Sequence, residues 1–323
     1  MLKSRLCIAF FAFAVGCAPA QKPLTDYVNP MLGTATLWDS VDLGFKPTKR
    51  TWGAEVFPGS SLPNAMVQVS PVTKFPSGAG YQYEDSVIYG FTHTNKGHWN
   101  LCHIPLLPVT GTPTPGDYCS PFSHERESAA PGYYQVFLDR YGVDAQLSST
   151  LRCAFHKYTY PAGAAVAVLA DLQRSNEHVR AWDIRKEGNN VFAGWQQTGE
   201  KMYFYAVANR PVTGIEPVVE GDREVRIVRF GEGDGALELR IGFSFVSEKN
   251  ARENLEAEML GKSFAEVRSE ATATWNDLLG RIRVEGGTER EKGLFYSSLY
   301  RSFLWPALRS DVNGEFTDVD GKV

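Results

Sequence analysis

The chain has 323 residues, 43% of them hydrophobic and 22% charged, with a formal net charge of -4. That length supports one large core and leaves room for a second domain. The mildly acidic balance excludes an electrostatic footprint for nucleic acid or for an anionic membrane surface.

Read from the start, Lys3 and Arg5 precede an apolar run, Cys7 to Val15, that is too short to cross a bilayer. Ala14-Val15-Gly16-Cys17 reads as a lipobox. It makes residues 1–17 a lipoprotein-type signal, Cys17 the lipidated residue and residues 18–26 a tether. The competing reading is a secretory signal cleaved after Ala18-Pro19-Ala20. Both predict export, and the lipobox predicts a periplasmic or cell-surface lipoprotein that meets the outer membrane only through its lipid. Cys102, Cys119 and Cys153 remain, an odd set without a C-x-x-C, which suits neither a disulfide framework nor a cysteine zinc site.

Leu24 to Pro63 is rich in turn signals such as Asn29-Pro30, Gly33-Thr34 and Phe57-Pro58-Gly59. It reads as long loops over a sheet, with Trp38 and Trp52 beneath them or lining a cleft. From Met66 the pattern is β. The runs Met66–Ser70, Tyr133–Asp139, Arg152–Tyr160, Ala164–Leu172, Met202–Asn209, Glu224–Phe230 and Ala236–Val246 are separated by Gly, Pro, Asn or Asp and by no helical pattern. Many short strands without crossover helices predict a large antiparallel β-sandwich.

One stretch inside this region, Tyr89 to Gly111, holds three of the six histidines (His93, His98, His103) with Asn95, Lys96 and Trp99. A polar, aromatic loop between two apolar runs suits a ligand-facing role better than a core role. The five-residue spacing of the histidines matches neither a helix face nor a strand face, which argues against a metal site and for His93 as a structural residue. Ser123-His124-Glu125 has the residue types of a triad fragment but no nucleophile elbow, and reads as a surface loop.

After Val246 the period changes. A helical stretch at about Ala251 to Leu260 is followed by a helix with Phe264, Val267, Ala271, Trp275 and Leu278 on one face, a Ser263/Glu266 capping box and Gly280 at its end. A second capping box, Thr288 with Glu291, opens Lys292 to Trp305, stopped by Pro306. Its apolar side, with Phe295, Tyr296, Leu299, Tyr300, Phe303 and Trp305, predicts either docking on the sandwich or neighbours in a longer chain, and the second is the expectation. Asp311-Val-Asn313-Gly314 lacks the ligand spacing of a calcium loop and reads as a hairpin turn.

Tyr27-Val-Asn-Pro-Met-Leu-Gly-Thr34, Phe57-Pro-Gly-Ser-Ser-Leu-Pro-Asn-Ala-Met-Val-Gln-Val-Ser-Pro71, Gly80-Tyr-Gln-Tyr83, Ile88-Tyr-Gly-Phe-Thr-His-Thr94, Phe122-Ser-His-Glu125, Pro131-Gly-Tyr-Tyr134 and Leu294 to Pro306 together resemble the N-terminal part of glycoside hydrolase family 92, the calcium-dependent exo-α-mannosidases. The resemblance implies a mainly β fold: a sandwich over residues 27–247, linker helices over 248–282, and the first helix of an incomplete (α/α) barrel over 283–323. It implies inverting hydrolysis of mannose-containing glycans such as glycoprotein N-glycans. Calcium and the catalytic carboxylates would be held mainly by the barrel domain against which the sandwich packs, so that no catalytic or metal residue is assigned here and this truncated chain alone is expected to be inactive. The substrate-binding residues it implies are Trp99, with His98 and Asn95 in the same loop, and the turns at Gly33-Thr34 and Pro58-Gly59. The family's loop after the Gly-Phe-Thr-His-Thr stretch is longer; Asn95-Lys96-Gly97-His98 departs from it, which bears on linkage specificity. The alternative is a free-standing carbohydrate-binding sandwich without catalysis.

Overall fold

The computed structural model describes residues 22–37, 40–46, 51–52, 55–96, 99–233 and 235–323. The expectations for Cys17, Trp38 and His98 lie outside them, and for Trp52 and Asn95 only the backbone is described. Fifteen strands build two antiparallel sheets. They are β1 (Ser60–Ser61), β2 (Gln68–Val72), β3 (Gly90–Thr92), β4 (Leu106–Val109), β5 (Glu127–Ala130), β6 (Tyr133–Leu138), β7 (Val143–Ser149), β8 (Cys153–Thr159), β9 (Ala167–Ala170), β10 (Ala181–Lys186), β11 (Val191–Gln197), β12 (Lys201–Ala208), β13 (Val212–Glu220), β14 (Arg223–Phe230) and β15 (Leu237–Ser244). The eight-stranded sheet runs β5-β6-β7-β8-β15-β12-β11-β10, and the seven-stranded sheet runs β13-β14-β9-β4-β3-β2-β1.

Alternation explains the layering. Along β12, Met202, Phe204, Ala206 and Ala208 are buried while Lys201, Tyr203, Tyr205 and Val207 face outward. The inward residues meet those of the second sheet, so Val69, Phe91, Leu107, Leu169 and Ile227 share one core with Leu147, Phe192, Phe204, Leu239 and Ile241. This is the expected large sandwich.

Three helices come after the strands: α1 (Glu248–Glu258), α2 (Phe264–Leu279) and α3 (Glu289–Ser302). Leu255 of α1, its C-cap Met259, and Phe264 and Val267 of α2 pack on Tyr133, Cys153 and Phe155, covering part of the outer face of the larger sheet. Both expected capping boxes form, Ser263 with Glu266 and Thr288 with Glu291. Helix α1 begins three residues earlier than its apolar pattern suggested, because Ser247 caps it by accepting from the Asn250 amide. Gly280 occupies the expected C-cap position with right-handed backbone, φ -66°, and so needs no glycine-specific conformation there.

Helix α3 differs from expectation in its surroundings. Tyr296, Tyr300 and Leu304 are buried in a cluster with Trp275 and Leu279 of α2 and with Leu24, Val28 and Phe57. Leu24–Tyr27 is a 3-10 turn rather than part of a tether, since Leu24 and Thr25 are buried and the Thr25 amide donates to Asn276 Oδ1 at 3.1 Å. The chain's own early residues thus cover much of the aromatic face, while Leu294 and Trp305 stay exposed. Among the described residues no helix is long and apolar enough to cross a membrane.

Candidate functional site

The segment after β3 carries a short hairpin in which Asn95 pairs with Asn100 and Lys96 with Trp99. Trp99 is half-buried on it. The backbone just beyond the hairpin is strained. Cys102 and Ile104, neither a glycine, have φ of 57° and 54°. A β-branched residue in the left-handed region is a genuine outlier, and such strain persists only where the surroundings over-determine it.

Those surroundings are side chains. Asn100 Oδ1 accepts from the Cys102 amide at 2.9 Å, and Gln196 Oε1 of β11 accepts from the Ile104 amide at 2.7 Å. The Gln196 amide group then donates to the carbonyls of Leu172 and Arg174 at 2.9 and 2.8 Å. Between the two strained residues, His103 bonds Thr94 through Nδ1 at 2.7 Å and Thr198 through Nε2 at 2.9 Å. Gly80 completes the cradle: its φ is +77°, and a Cβ there would stand 2.8 Å from Cys102 Sγ.

The histidines are spent in this scaffold. His93 meets His156 Nε2 to Nε2 at 2.9 Å, and His156 reaches the Tyr158 hydroxyl at 2.5 Å. Burial pushes His93 down to about 3 and His103 down to about 4, and pushes His156 well below the ordinary imidazole value. All three are neutral at pH 7, His93 and His156 bonded to each other and His103 to two threonines, which leaves them a packing role rather than acid–base work. His93 is structural: its ring bonds another imidazole across the core, and its backbone amide donates to the His103 carbonyl at 3.1 Å. Cys102 is buried, and desolvation raises its thiol.

The Gly33-Thr34 turn sits on the far side of the same scaffold. Thr34 Oγ1 donates to the Met31 carbonyl at 2.8 Å, and the Tyr83 amide donates to the Thr34 carbonyl at 3.2 Å. From α3, Ser297 Oγ accepts from the Asn29 amide at 2.9 Å, and Arg301 donates to the carbonyls of Pro30 and Leu32. Gly33 and Thr34 line a crevice with Ala79, Tyr81 and Gln82 of only about 10 Å³, too small for more than a water. The hairpin side of residues 78–82 is joined by the Asn100 amide, which donates to the Gly78 carbonyl at 2.9 Å. The Trp99 hairpin and the Gly33 turn therefore flank one segment.

Pro58 and Gly59 stand elsewhere. Both are buried, and a Cβ on Gly59 would lie 2.1 Å from the Val69 carbonyl oxygen, so the close approach there is to strand β2. His124 and Glu127 form a polar knot rather than a triad: Glu127 accepts from Tyr81 and Tyr134 hydroxyls at 3.0 and 2.5 Å, while His124 Nδ1 lies 2.6 Å from it and its ring stacks on Tyr83. Asn100, Gln82 and Gly80 were not singled out from sequence as site residues. Asn100 Nδ2 and Gln82 Oε1 are buried without a partner beside the segment both loops flank. The Gly80-Tyr-Gln-Tyr83 motif marks Gly80 and Gln82, and Asn100 falls within the Tyr89–Gly111 stretch.

The acidic stretch after α3 does not fit a cation. Asp311 is buried with Ser244 Oγ and Asn250 Nδ2 donating to one carboxylate oxygen at 2.6 and 2.8 Å, and Asn254 Nδ2 to the other at 2.7 Å. Asn313-Gly314 is a turn closed by the Gly314 amide on the Asp311 carbonyl at 3.0 Å. Among the described residues no cluster of three or more His, Cys, Asp or Glu could hold a metal ion.

Comparison with known proteins gives the arrangement relatives. A family model described as the glycosyl hydrolase family 92 N-terminal domain matches residues 27–254, and one for the family 92 catalytic domain matches residues 250–323. A protein of Arthroderma benhamiae named an uncharacterized secreted glycosidase is 24% identical over 344 residues, covering 90% of this chain and 42% of the relative. Among solved structures, a family GH92 α-mannosidase from Bacteroides thetaiotaomicron superposes with a TM-score of 0.82 at 25% identity, covering 94% of this chain and 43% of that one. The same α-mannosidase in complex with mannoimidazole gives 0.81 at 25% identity, over 93% and 42% of the two chains. An inverting family GH92 mannosidase from the same organism gives 0.76 at 25% identity, over 93% and 41%. The chain thus spans about two fifths of the length of these relatives.

Proposed function

The chain belongs to glycosyl hydrolase family 92, and on that premise we propose that it supplies the substrate-shaping wall of an exported exo-α-mannosidase acting on mannose-containing glycans. The observation that carries the reading is the strained, multiply bonded Asn100–Ile104 segment holding the half-exposed Trp99. Gln196, His103 and Asn100 hold the backbone next to Trp99 in one conformation, and an indole carried on a fixed backbone suits stacking on the apolar face of a pyranose. His93, His103 and His156, buried and held neutral, leave proton transfer to other residues. In this reading the acid and base of an inverting pair lie in the helical domain, spaced to admit a water, and calcium is held there too. Among the described residues no His, Cys, Asp or Glu cluster offers calcium a donor set. Export agrees with the relative named as secreted, and the lipid on Cys17 and a glycoprotein N-glycan substrate belong to the same proposal.

The test has two arms. The purified 323-residue chain, with and without calcium, is expected to release no mannose from mannosides; calcium-dependent release would overturn the division of labour. In the enzyme extended to the length of its relatives, Trp99→Ala is expected to lower kcat/KM for mannose disaccharides roughly tenfold more than for activated aryl mannosides, the size of one lost stacking contact. Equal losses would remove Trp99 from the leaving-group side. A second reading, a carbohydrate-binding sandwich without catalysis, draws on the burial of Tyr296 and Tyr300 within this chain. It predicts mannoside binding by the chain alone and no gain from added helical residues.

A further inference from the structure

We propose that a second pocket, distinct from the Trp99 wall, binds a sugar carrying an anionic group. It is an open pocket of about 620 Å³, the size range of small-ligand sites. It lies between the edge strand β10 and the start of β14. Its walls include Gln173, Arg174, His178, Arg180, Trp182 and Arg223. An aromatic ring among planar hydrogen-bonding side chains is the composition that recognises a pyranose, whose apolar face stacks while its hydroxyls are bonded.

The charge pattern names the substituent. Asp171, fully buried beneath the pocket, accepts from Tyr118 and from Arg223 Nη2, both at 2.6 Å, with Arg174 Nε at 3.6 Å. Arg174 is further fixed near the rings of Phe75, Tyr89 and Tyr118. One buried carboxylate thus holds two guanidiniums in place. Arg180 is different. Its amide donates to the Gln197 carbonyl at 2.8 Å, but its guanidinium is exposed and has no side-chain partner among the described residues. Three guanidiniums face two carboxylates, Glu177 and buried Asp171, so the pocket is locally positive on a chain of net charge -4. A free guanidinium fork recognises a carboxylate, sulfate or phosphate oxygen pair. Trp182 is the pocket's aromatic residue; the Arg226 guanidinium lies over its ring, 5.3 Å from the centroid, so a sugar would stack on the part of the ring that lines the pocket.

The pocket also communicates with the candidate wall. Its 173–177 loop is tied to the Trp99 side of the scaffold, with Ser175 Oγ donating to the Leu101 carbonyl at 2.6 Å and the Asn176 amide to the same carbonyl at 2.9 Å. A charged unit bound here would lie on a rigid extension of that wall. The claim does not depend on the hydrolase reading, because binding is measured directly on the chain.

The probes are D-glucuronate, D-mannose 6-sulfate, D-mannose and inorganic sulfate, titrated by calorimetry with indole N–H shifts as a second readout. Expected is saturable binding of one or both charged sugars, roughly tenfold tighter than mannose or sulfate alone, and weakened by added salt. Whether glucuronate or the sulfate ester binds tighter identifies the anion's source. Arg180→Gln, at an exposed position, should cost roughly tenfold and flatten the salt dependence; Trp182→Ala should cost a similar factor and leave that dependence in place. Equal binding of mannose would overturn the anionic requirement, and equal binding of sulfate would overturn the sugar requirement. No saturable binding, or Arg180→Gln and Trp182→Ala that bind like the parent, would overturn the site.

Discussion

His103 and Thr198 are hydrogen-bonded across the interior at 2.9 Å, tying the residue between two left-handed positions to the turn after β11. The opposite ring nitrogen of His103 is bonded to Thr94, so the imidazole acts as a strut between the end of β3 and the larger sheet. The strained segment is held from its middle. Relaxing either flank on its own gives different results at Cys102 and Ile104.

Both residues carry a left-handed cost of about 1–2 kcal/mol, which glycine removes. They differ in what glycine takes away. Ile104 is fully buried in the main core, so Ile104→Gly forfeits a branched side chain worth about 3–5 kcal/mol and should destabilise the chain by roughly 3 kcal/mol net. Cys102 is also buried but small, and Cys102→Gly should fall within about 1 kcal/mol of the parent because strain relief offsets the lost contact. Urea unfolding of both variants measures this. A loss at Cys102 as large as that at Ile104 would show that the strain is not the deciding quantity.

Gly59 offers a sharper case. A methyl group there would sit 2.1 Å from the Val69 carbonyl oxygen and 2.5 Å from Ser70 Cα, both backbone, so no rotamer change can make room. Gly59→Ala should therefore destabilise by about 3 kcal/mol or more, seen as a lower urea midpoint or loss of soluble protein. An unchanged midpoint would return this glycine to the sugar-facing role that the sequence suggested.

The strands that alternate with large apolar residues were legible in the sequence: β6, β8, β12, β14 and β15 fall within a residue or two of the expected bounds at most ends. β7, Val143–Ser149, alternates Val143, Ala145 and Leu147 inward but was not picked out, because the apolar pattern ends after five residues in two buried serines. β13 hides behind Gly214 and Pro217, tolerable because it is a sheet edge. β10, an edge of the eight-stranded sheet, has one buried residue, Ile184. The site was legible as a segment, Tyr89 to Gly111, but not as a mechanism of support. Gln196 and Thr198 hold it from about a hundred residues away, and no local pattern marks such partners. The same holds for α3, whose cover comes from Leu24 and Val28 at the other end of the chain.

Asp311 tests the expectation about calcium without any activity measurement. Its two carboxylate oxygens already accept from Ser244, Asn250 and Asn254, and the Asn254 side-chain carbonyl in turn accepts from the Val312 amide at 2.8 Å. Chelation should therefore leave the chain's melting temperature unchanged to within about 1 °C, since nothing bound to the native state is being removed. Asp311→Ala should cost about 2–4 kcal/mol, because three buried donors lose their acceptor together. A melting temperature that falls with EDTA and recovers with calcium would reveal a cation site among these residues after all.

The buried imidazoles set the acid sensitivity. For His103 the folded value is about 4 and the ordinary value is 6.5, so between those limits the unfolded chain binds a proton that the native chain does not. Stability is then full above about pH 6.5 and falls as the pH drops toward 4, with a limiting slope of about 1.4 kcal/mol per pH unit for this one group. His93 adds to the fall in the same direction, with its folded value near 3, and His156 does too, although the two share a hydrogen bond and do not contribute as independent sites. Urea unfolding at pH 7, 6 and 5 should show this loss. His103→Gln, which keeps an amide able to reach Thr94 or Thr198, should be less stable than the parent at pH 7 by about 1–2 kcal/mol and should lose less on acidification, by close to one proton's slope. Parallel pH profiles for parent and variant would mean that His103 takes up its proton at the same pH folded and unfolded, and that its bonds to Thr94 and Thr198 do not hold it neutral.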